Sequence, residues 1–405
     1  MRHHNLHASW WVLTGFAMVG LIAGAGFGWI LHAPSPLAAS IRVGRPGQLT
    51  SATPELRHGS LQPSAVVRKI IELCRKDDSA GLLMFDYAMQ EELAYVIDVS
   101  RVPRFIETAG PRIPRWIEAA RRELEDRLAA GRYLLCQLLS MSPDWRVAAS
   151  TEFRGVRGSH VLLRIVPAGP PQGRGQPPML LLEVLPENGQ WLYRDITGVV
   201  PELDPRFTLA FGSTRAIPGQ AQPIEVYGVN SGITVPAAPG SKEVRLSSSP
   251  FILKVVPPNE RVRIVGFARG EYPSRWLKVV LADGTMGYVR AELIAVDDAR
   301  NDEGAFALIG LELLSEWERM VEAPLQEIPI YERFLRRYPQ SPYGAQTRLE
   351  ISRRYAAAAE FARAPWNAGK YNWKAYAEKA IAAYQDVLEK YPNSRAAVEA
   401  EIGIA

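Results

Sequence analysis

The sequence predicts a multi-domain protein with four parts: a single transmembrane helix, an α+β module of helices packed on an antiparallel sheet, a small all-β barrel and an all-α helical-repeat module. Three observations predict it. A charge-free apolar run covers residues 10–31, the apolar period switches from helical to alternating near Trp145, and a tyrosine–proline phrase recurs at an offset of 53 residues. Composition agrees. Of 405 residues, 47% are hydrophobic and 22% charged, which is ordinary for globular chains and long enough for several domains. The formal net charge is only +4, from 47 basic and 43 acidic residues. Nucleic acid is therefore not an expected partner, because phosphate binding needs a concentrated basic face.

The first element is the apolar run. Trp10 to Leu31 carries no charge and one polar side chain, Thr14. As a helix it would be about 33 Å long, the thickness of a bilayer core. Trp10, Trp11 and Trp29 lie at its ends, where amphipathic rings favour the headgroup zone, and Pro34 and Pro36 stop it. A cleaved signal segment is the competing reading, with Ala38-Ala39-Ser40 as a cleavage site. Gly20, Gly24 and Gly28 fall four apart on one helix face, a candidate face for a membrane dimer. Residues 34–63 are rich in Pro, Ser, Gly and Ala and read as a linker.

The second element spans residues 64–210. Val67, Ile70, Ile71 and Cys74 repeat at helical spacing, and Ile113–Leu139 reads as one long amphipathic helix. Strands follow at Trp145–Phe153, His160–Val166, Met179–Leu185 and Gln190–Thr197, the last two joined by Asn188-Gly189. Asn-Gly supplies the positive φ angles of a tight hairpin. The order helices then strands, closed by "QWLYRDITGV" (Gln190–Val199), resembles the nuclear-transport-factor-like (cystatin-like) fold. The ending is also similar to periplasmic phospholipid-shuttle proteins of the toluene-tolerance family. That resemblance implies a concave sheet enclosing a pocket, and no site residue transfers.

The third element spans residues 222–296. Short runs at Ile224–Val229, Phe251–Val256, Arg261–Phe267, Trp276–Leu281 and Met286–Arg290, with a turn at Asp283-Gly284, suggest a small barrel. "PPNERVRIVG" (Pro257–Gly266), Trp276-Leu-Lys-Val-Val and "ADGTMGYVRAELI" (Ala282–Ile294) resemble the bacterial Src-homology-3 (SH3-like) domain. The resemblance makes Trp276 and Tyr288 candidate partner-binding residues. The segment Ile233–Ser241 departs from the family pattern where its ligand face usually forms.

The fourth element spans residues 305–405. Tyr331, Leu335, Tyr338, Pro339 and Ser341 align with Tyr384, Leu388, Tyr391, Pro392 and Ser394. In this phrase the helix ends at tyrosine, proline breaks it and serine caps the next helix. It resembles tetratricopeptide repeats of cell-envelope assembly proteins, although their period is about 34 residues. Tyr331, Tyr338, Tyr384 and Tyr391 are candidate partner-binding residues. With Phe334, Trp366, Tyr371, Trp373 and Tyr376 they line either a peptide groove or a helix–helix interface.

Chemistry is hard to find. Cys74 and Cys136 fit two buried thiols or one disulfide, and neither sits beside a base. His160 is read as a surface or core residue. No metal or phosphate-binding spacing occurs, and adjacent acids such as Glu91/Glu92 and Asp297/Asp298 diverge on a helix. No catalytic residue, cofactor or metal is expected, and the chain is read as no enzyme. The modules together imply a membrane-anchored cell-envelope scaffold. Its partners would be proteins or peptidoglycan peptides, its place the inner membrane, single-pass, with soluble domains periplasmic or extracellular. The alternative is a carrier or sensor of an apolar ligand such as a lipid, held in the α+β module.

Overall fold

The computed structural model describes residues 62–130, 133–155, 158–169, 177–215, 223–228, 252–268, 276–317, 324–367 and 369–405. The chain divides into two compact units. One, here the sheet unit, comprises residues 62–94 and 122–304 of the described chain, and the other, the helical unit, residues 95–121 and 305–405.

The expected span Trp10–Leu31, with Gly20, Gly24 and Gly28, lies outside the described residues. Among the described residues no helix is long and apolar enough to cross a membrane. The single-pass, inner-membrane reading is corrected to that statement: no described helix spans a membrane.

In the sheet unit, α1 (Pro63–Arg75) opens with Pro63 in its first turn, where a missing N–H costs nothing. Its stripe Val66, Val67, Ile70 and Ile71 is buried. Helix α2 (Ser79–Leu83) is capped by Asp78, whose carboxylate accepts from the Gly81 N–H at 2.8 Å. Helix α3 (Tyr87–Ser100) begins in this unit, and Asp86 accepts from the Met89 N–H at 3.0 Å. After α4 (Pro103–Ala109), which belongs to the helical unit, the predicted long helix is two: α5 (Ile113–Ala129), in the sheet unit from Arg122 on, and α6 (Leu134–Ser140). Cys74 and Cys136 form a disulfide between α1 and α6.

Among the described residues, eleven strands follow in one antiparallel sheet. They are β1 (Trp145–Gly155), β2 (Gly158–Pro167), β3 (Met179–Glu187), β4 (Gln190–Val199), β5 (Ala210–Thr214), β6 (Ile224–Tyr227), β7 (Ile252–Val256), β8 (Arg261–Phe267), β9 (Trp276–Val280), β10 (Thr285–Arg290) and β11 (Ile294–Ala299). The order is β1-β2-β3-β4-β10-β9-β8-β5-β11, with β6 paired to β10 and β7. This corrects the expected separate small barrel. Strand β4 leaves its hairpin with β3 and pairs onward with β10, through Gly198↔Met286 and Val199↔Thr285. Strand β5, which starts where the first predicted module ends, enters between β8 and β11. Alternating patterns place strands but do not say which distant edge each one joins, so the sequence could not show this join.

The predicted β3–β4 hairpin is present. Asn188 has φ 50° and Gly189 φ 78°, the geometry that Asn-Gly was expected to supply. At the β3–β4–β10 crossing sits Gly198, at φ +139°; a Cβ there would lie 2.0 Å from the Met179 carbonyl oxygen. One sheet face carries the main core: Leu163, Ile165, Leu180, Leu182 and Ile196 pack with Val66, Ile70, Leu124, Leu135 and Leu138.

The helical unit contains α7 (Asp302–Trp317, from its fourth residue), α8 (Pro324–Arg337), α9 (Gly344–Arg363), α10 (Trp373–Lys390) and α11 (Arg395–Ile404). The offset of 53 maps α8 onto α10 and the start of α9 onto α11. Ser394 caps α11, accepting from the Ala397 N–H at 3.1 Å. The α9–α11 core is Ala345, Leu349, Tyr384, Val387, Ala396 and Ala400. Trp116 fills a second core with Val96, Val99, Ala120 and Val398.

Candidate functional site

The predicted partner-binding tyrosines are, for the most part, packing residues. Tyr288 and Tyr331 are fully buried, and Trp276 and Tyr384 nearly so. Tyr384 lies against Gly403, and the Tyr391 hydroxyl against Gly344, where any Cβ would collide. Glycine at those two places lets the ring of one helix approach the backbone of the next. Tyr331 receives an N–H bond from Arg354 at 3.4 Å, and burial pushes its phenol well above the ordinary range. Burial likewise pushes Tyr384 up to about 12. Such phenols stay neutral at any physiological pH. Tyr338 and Tyr391 are half-buried; Tyr338 packs on Phe334 with ring centroids 5.4 Å apart.

Two buried polar groups in the sheet unit have chemistry that sequence reading missed. In the first, Lys278 on β9 reaches Asp195 on β4 at 2.5 Å, and the Tyr288 hydroxyl on β10 donates to the other Asp195 oxygen. The Lys278 ammonium also lies 5.1 Å from the Tyr288 ring centre. These three side chains fasten β4 to β10 and β9, where backbone pairing is only two residues long. In the second, His160 Nδ1 bonds Glu183 at 2.6 Å, and Arg194 stands 3.6 Å from the same carboxylate oxygen. The signal was available: Glu183 interrupts the apolar run of β3, and Arg194-Asp195 the run of β4.

A histidine held by a carboxylate is half of a general-base arrangement. His160 Nε2 is buried and bonds no hydroxyl or thiol among the described residues. Nor does any group of three or more His, Cys, Asp or Glu side chains among the described residues come together as a metal site.

The helical unit holds a third polar cluster. Glu399 pairs with Arg353 and Arg395, and accepts from the Trp116 indole at 3.1 Å. Burial alone would raise its carboxyl, but the Arg353 and Arg395 guanidiniums outweigh that and hold it below the ordinary range. Glu350 takes another bond from Arg353 at 2.6 Å. These charges hold α9 to α11 and face no solvent.

What does face solvent is the corner between α9 and α10. Trp366 is 58% exposed, Tyr371 48% and Trp373 38%. Tyr371 touches Phe361 at 6.1 Å between centroids, so the corner is anchored while its outer rings stay wet. Arg363 and Lys374 lie 5.7 and 5.9 Å from the Trp373 ring centre. The Asn367 side chain ties the turn down, donating to the Phe361 carbonyl at 2.9 Å, and Asn372 caps α10 through the Ala375 N–H. Rings on a fixed turn need little ordering when a ligand arrives, so less affinity is lost to entropy. Trp366, Tyr371 and Trp373 thus stand at the surface, unlike the predicted Tyr331 and Tyr384.

No family model, no curated protein and no solved structure matches this chain.

Proposed function

We propose that the chain is an adaptor without a reaction of its own, which binds a partner protein through its helical unit. One observation carries this reading: Trp366, Tyr371 and Trp373 all stand exposed between the end of α9 and the start of α10. Isolated exposed apolar residues are common, but three large exposed aromatics within eight residues are a feature of contact surfaces. The resemblance of the repeated phrase Tyr331–Ser341 and Tyr384–Ser394 to tetratricopeptide repeats favours the same reading, since such repeats present fixed helix faces to peptides. The reactive-looking groups lend no competing support: Lys278, Glu399 and Arg353 are engaged in buried bonds. The carrier alternative gains nothing from the helix-covered sheet face, where Leu180, Leu182 and Ile196 meet α1, α5 and α6.

A photo-crosslinking side chain placed at position 370, beside the corner, tests the proposal in cells. A discrete protein adduct from 370, absent from a control at exposed Glu389, is the expected result. Equal labelling at both positions, or none at either, contradicts it.

A further inference from the structure

We infer that the α9–α10 corner receives an acidic peptide segment carrying apolar or aromatic side chains, contributed by the partner protein. The inference rests on the reading of the helical unit as a binding module and adds the chemistry of the partner.

Three features of the corner carry it. From Arg363 to Ala377 the chain contains no Asp or Glu, yet contains Arg363, Lys370 and Lys374, all exposed. Acids resume only outside this stretch, at Glu360 and Glu378. Between Glu360 and Glu378 the chain therefore carries only positive charge, in a sequence whose charges otherwise nearly cancel, at 47 basic to 43 acidic. Second, two of the cations lie by the Trp373 ring, so a carboxylate that reaches either one brings its neighbouring side chains onto an aromatic face. Third, Ile381 is exposed on α10, about two turns beyond Trp373, and extends the apolar contact along the helix.

The patch suits a peptide better than a nucleic acid. A single strand is tracked by a continuing basic groove. Here the basic character ends after one turn of α10, where Glu378 and Lys379 alternate in sign. Charge attraction at an exposed surface is modest and screened by salt, while the rings supply area. Affinity should need both.

The test uses the full chain and short synthetic probes of one length. These are a peptide of alternating glutamate with leucine and tyrosine, the same peptide with glutamine for glutamate, the same with lysine, and oligothymidylate. Labelled-probe anisotropy is read at low and high salt. The glutamate peptide should bind, and should weaken about tenfold at high salt. Lys370→Glu/Lys374→Glu should weaken it by about tenfold or more with an unchanged thermal melt, and Arg333→Glu, on α8, should not. Equal binding of the glutamine and glutamate peptides would overturn the acidic preference while leaving the adaptor reading in place. Binding of oligothymidylate alone, binding of no probe, or self-association of the chain that the glutamate peptide fails to displace would overturn both.

Discussion

Lys278 shows how much one side chain holds when it is buried. It stands on a strand with both faces covered, and its ammonium meets Asp195 and the ring of Tyr288. Removing one partner of such a pair leaves a charge with no water and no counter-charge, which costs about 3–5 kcal/mol. Lys278→Met should therefore lower stability by about 3 kcal/mol, and Tyr288→Phe by about 1 kcal/mol, the usual worth of one hydrogen bond. Urea titration followed by circular dichroism measures both; a Lys278→Met midpoint equal to wild type would show that the pair is not structural. At this scale the sequence was partly legible. A lysine in Trp276-Leu-Lys-Val-Val and a glutamate in β3 stand out against their apolar neighbours. Their partners lie far off in the chain, 83 positions away for Asp195 and Lys278. Periodicity carries no information at that range. The inward course of Tyr331 and Tyr384 could not be read from the sequence for a related reason. A phrase such as Tyr-x-x-x-Leu-x-x-Tyr marks the inward stripe of a helix as readily as an outward one, and here Tyr331 and Tyr384 point inward.

At the scale of elements, the join between β4 and β10 depends on Gly198. Its φ of +139° is open to glycine alone, and a side chain would strike the Met179 carbonyl. Gly198→Ala is expected to cost at least about 2 kcal/mol, whereas Gly189→Asn in the hairpin turn, at φ 78° with open space around it, should cost less than about 1 kcal/mol. Comparing the two melts checks whether the crossing or the turn is the constrained point. The Asn188-Gly189 turn could be read from the chain, since a dipeptide contains its own turn chemistry. The crossing could not, since it is a meeting of strands from two separately patterned segments. Helix packing adds a pH dependence. The Glu399 carboxyl is held below its ordinary 4.5 in the folded state. Its contribution is complete above that value and is lost as the pH falls through the lower folded value. The helical unit should thus lose stability in acid. Glu399→Gln should be less stable at neutral pH and show a shallower loss on acidification. A variant with the same acid slope as wild type would assign the acid sensitivity to other carboxylates.

At the scale of the whole molecule, the fold is one large sheet with its helices, together with a helical unit. The strands and helices were mostly legible as pieces, and their grouping was not. The sheet unit also carries the Cys74–Cys136 bond, with a sequence separation of 62. Closing a loop of that size restricts the unfolded chain, and the loop-entropy model gives about 4 kcal/mol at most. Cys74→Ser/Cys136→Ser should melt several degrees lower than the parent under non-reducing conditions, and the parent should converge on it when reduced. Disulfides persist where thiols are kept oxidised, so expression in a reducing compartment should yield the less stable form.

The central claim is that the α9–α10 rings serve a partner rather than the fold. It is tested most directly by equilibrium unfolding of Trp366→Ala/Trp373→Ala beside Trp116→Ala. The account predicts that the double variant unfolds within about 0.5 kcal/mol of the parent, as exposed positions do, while the loss of fully buried Trp116 costs about 3–5 kcal/mol. A double variant destabilised as much as Trp116→Ala would contradict it, because the rings would then belong to the core.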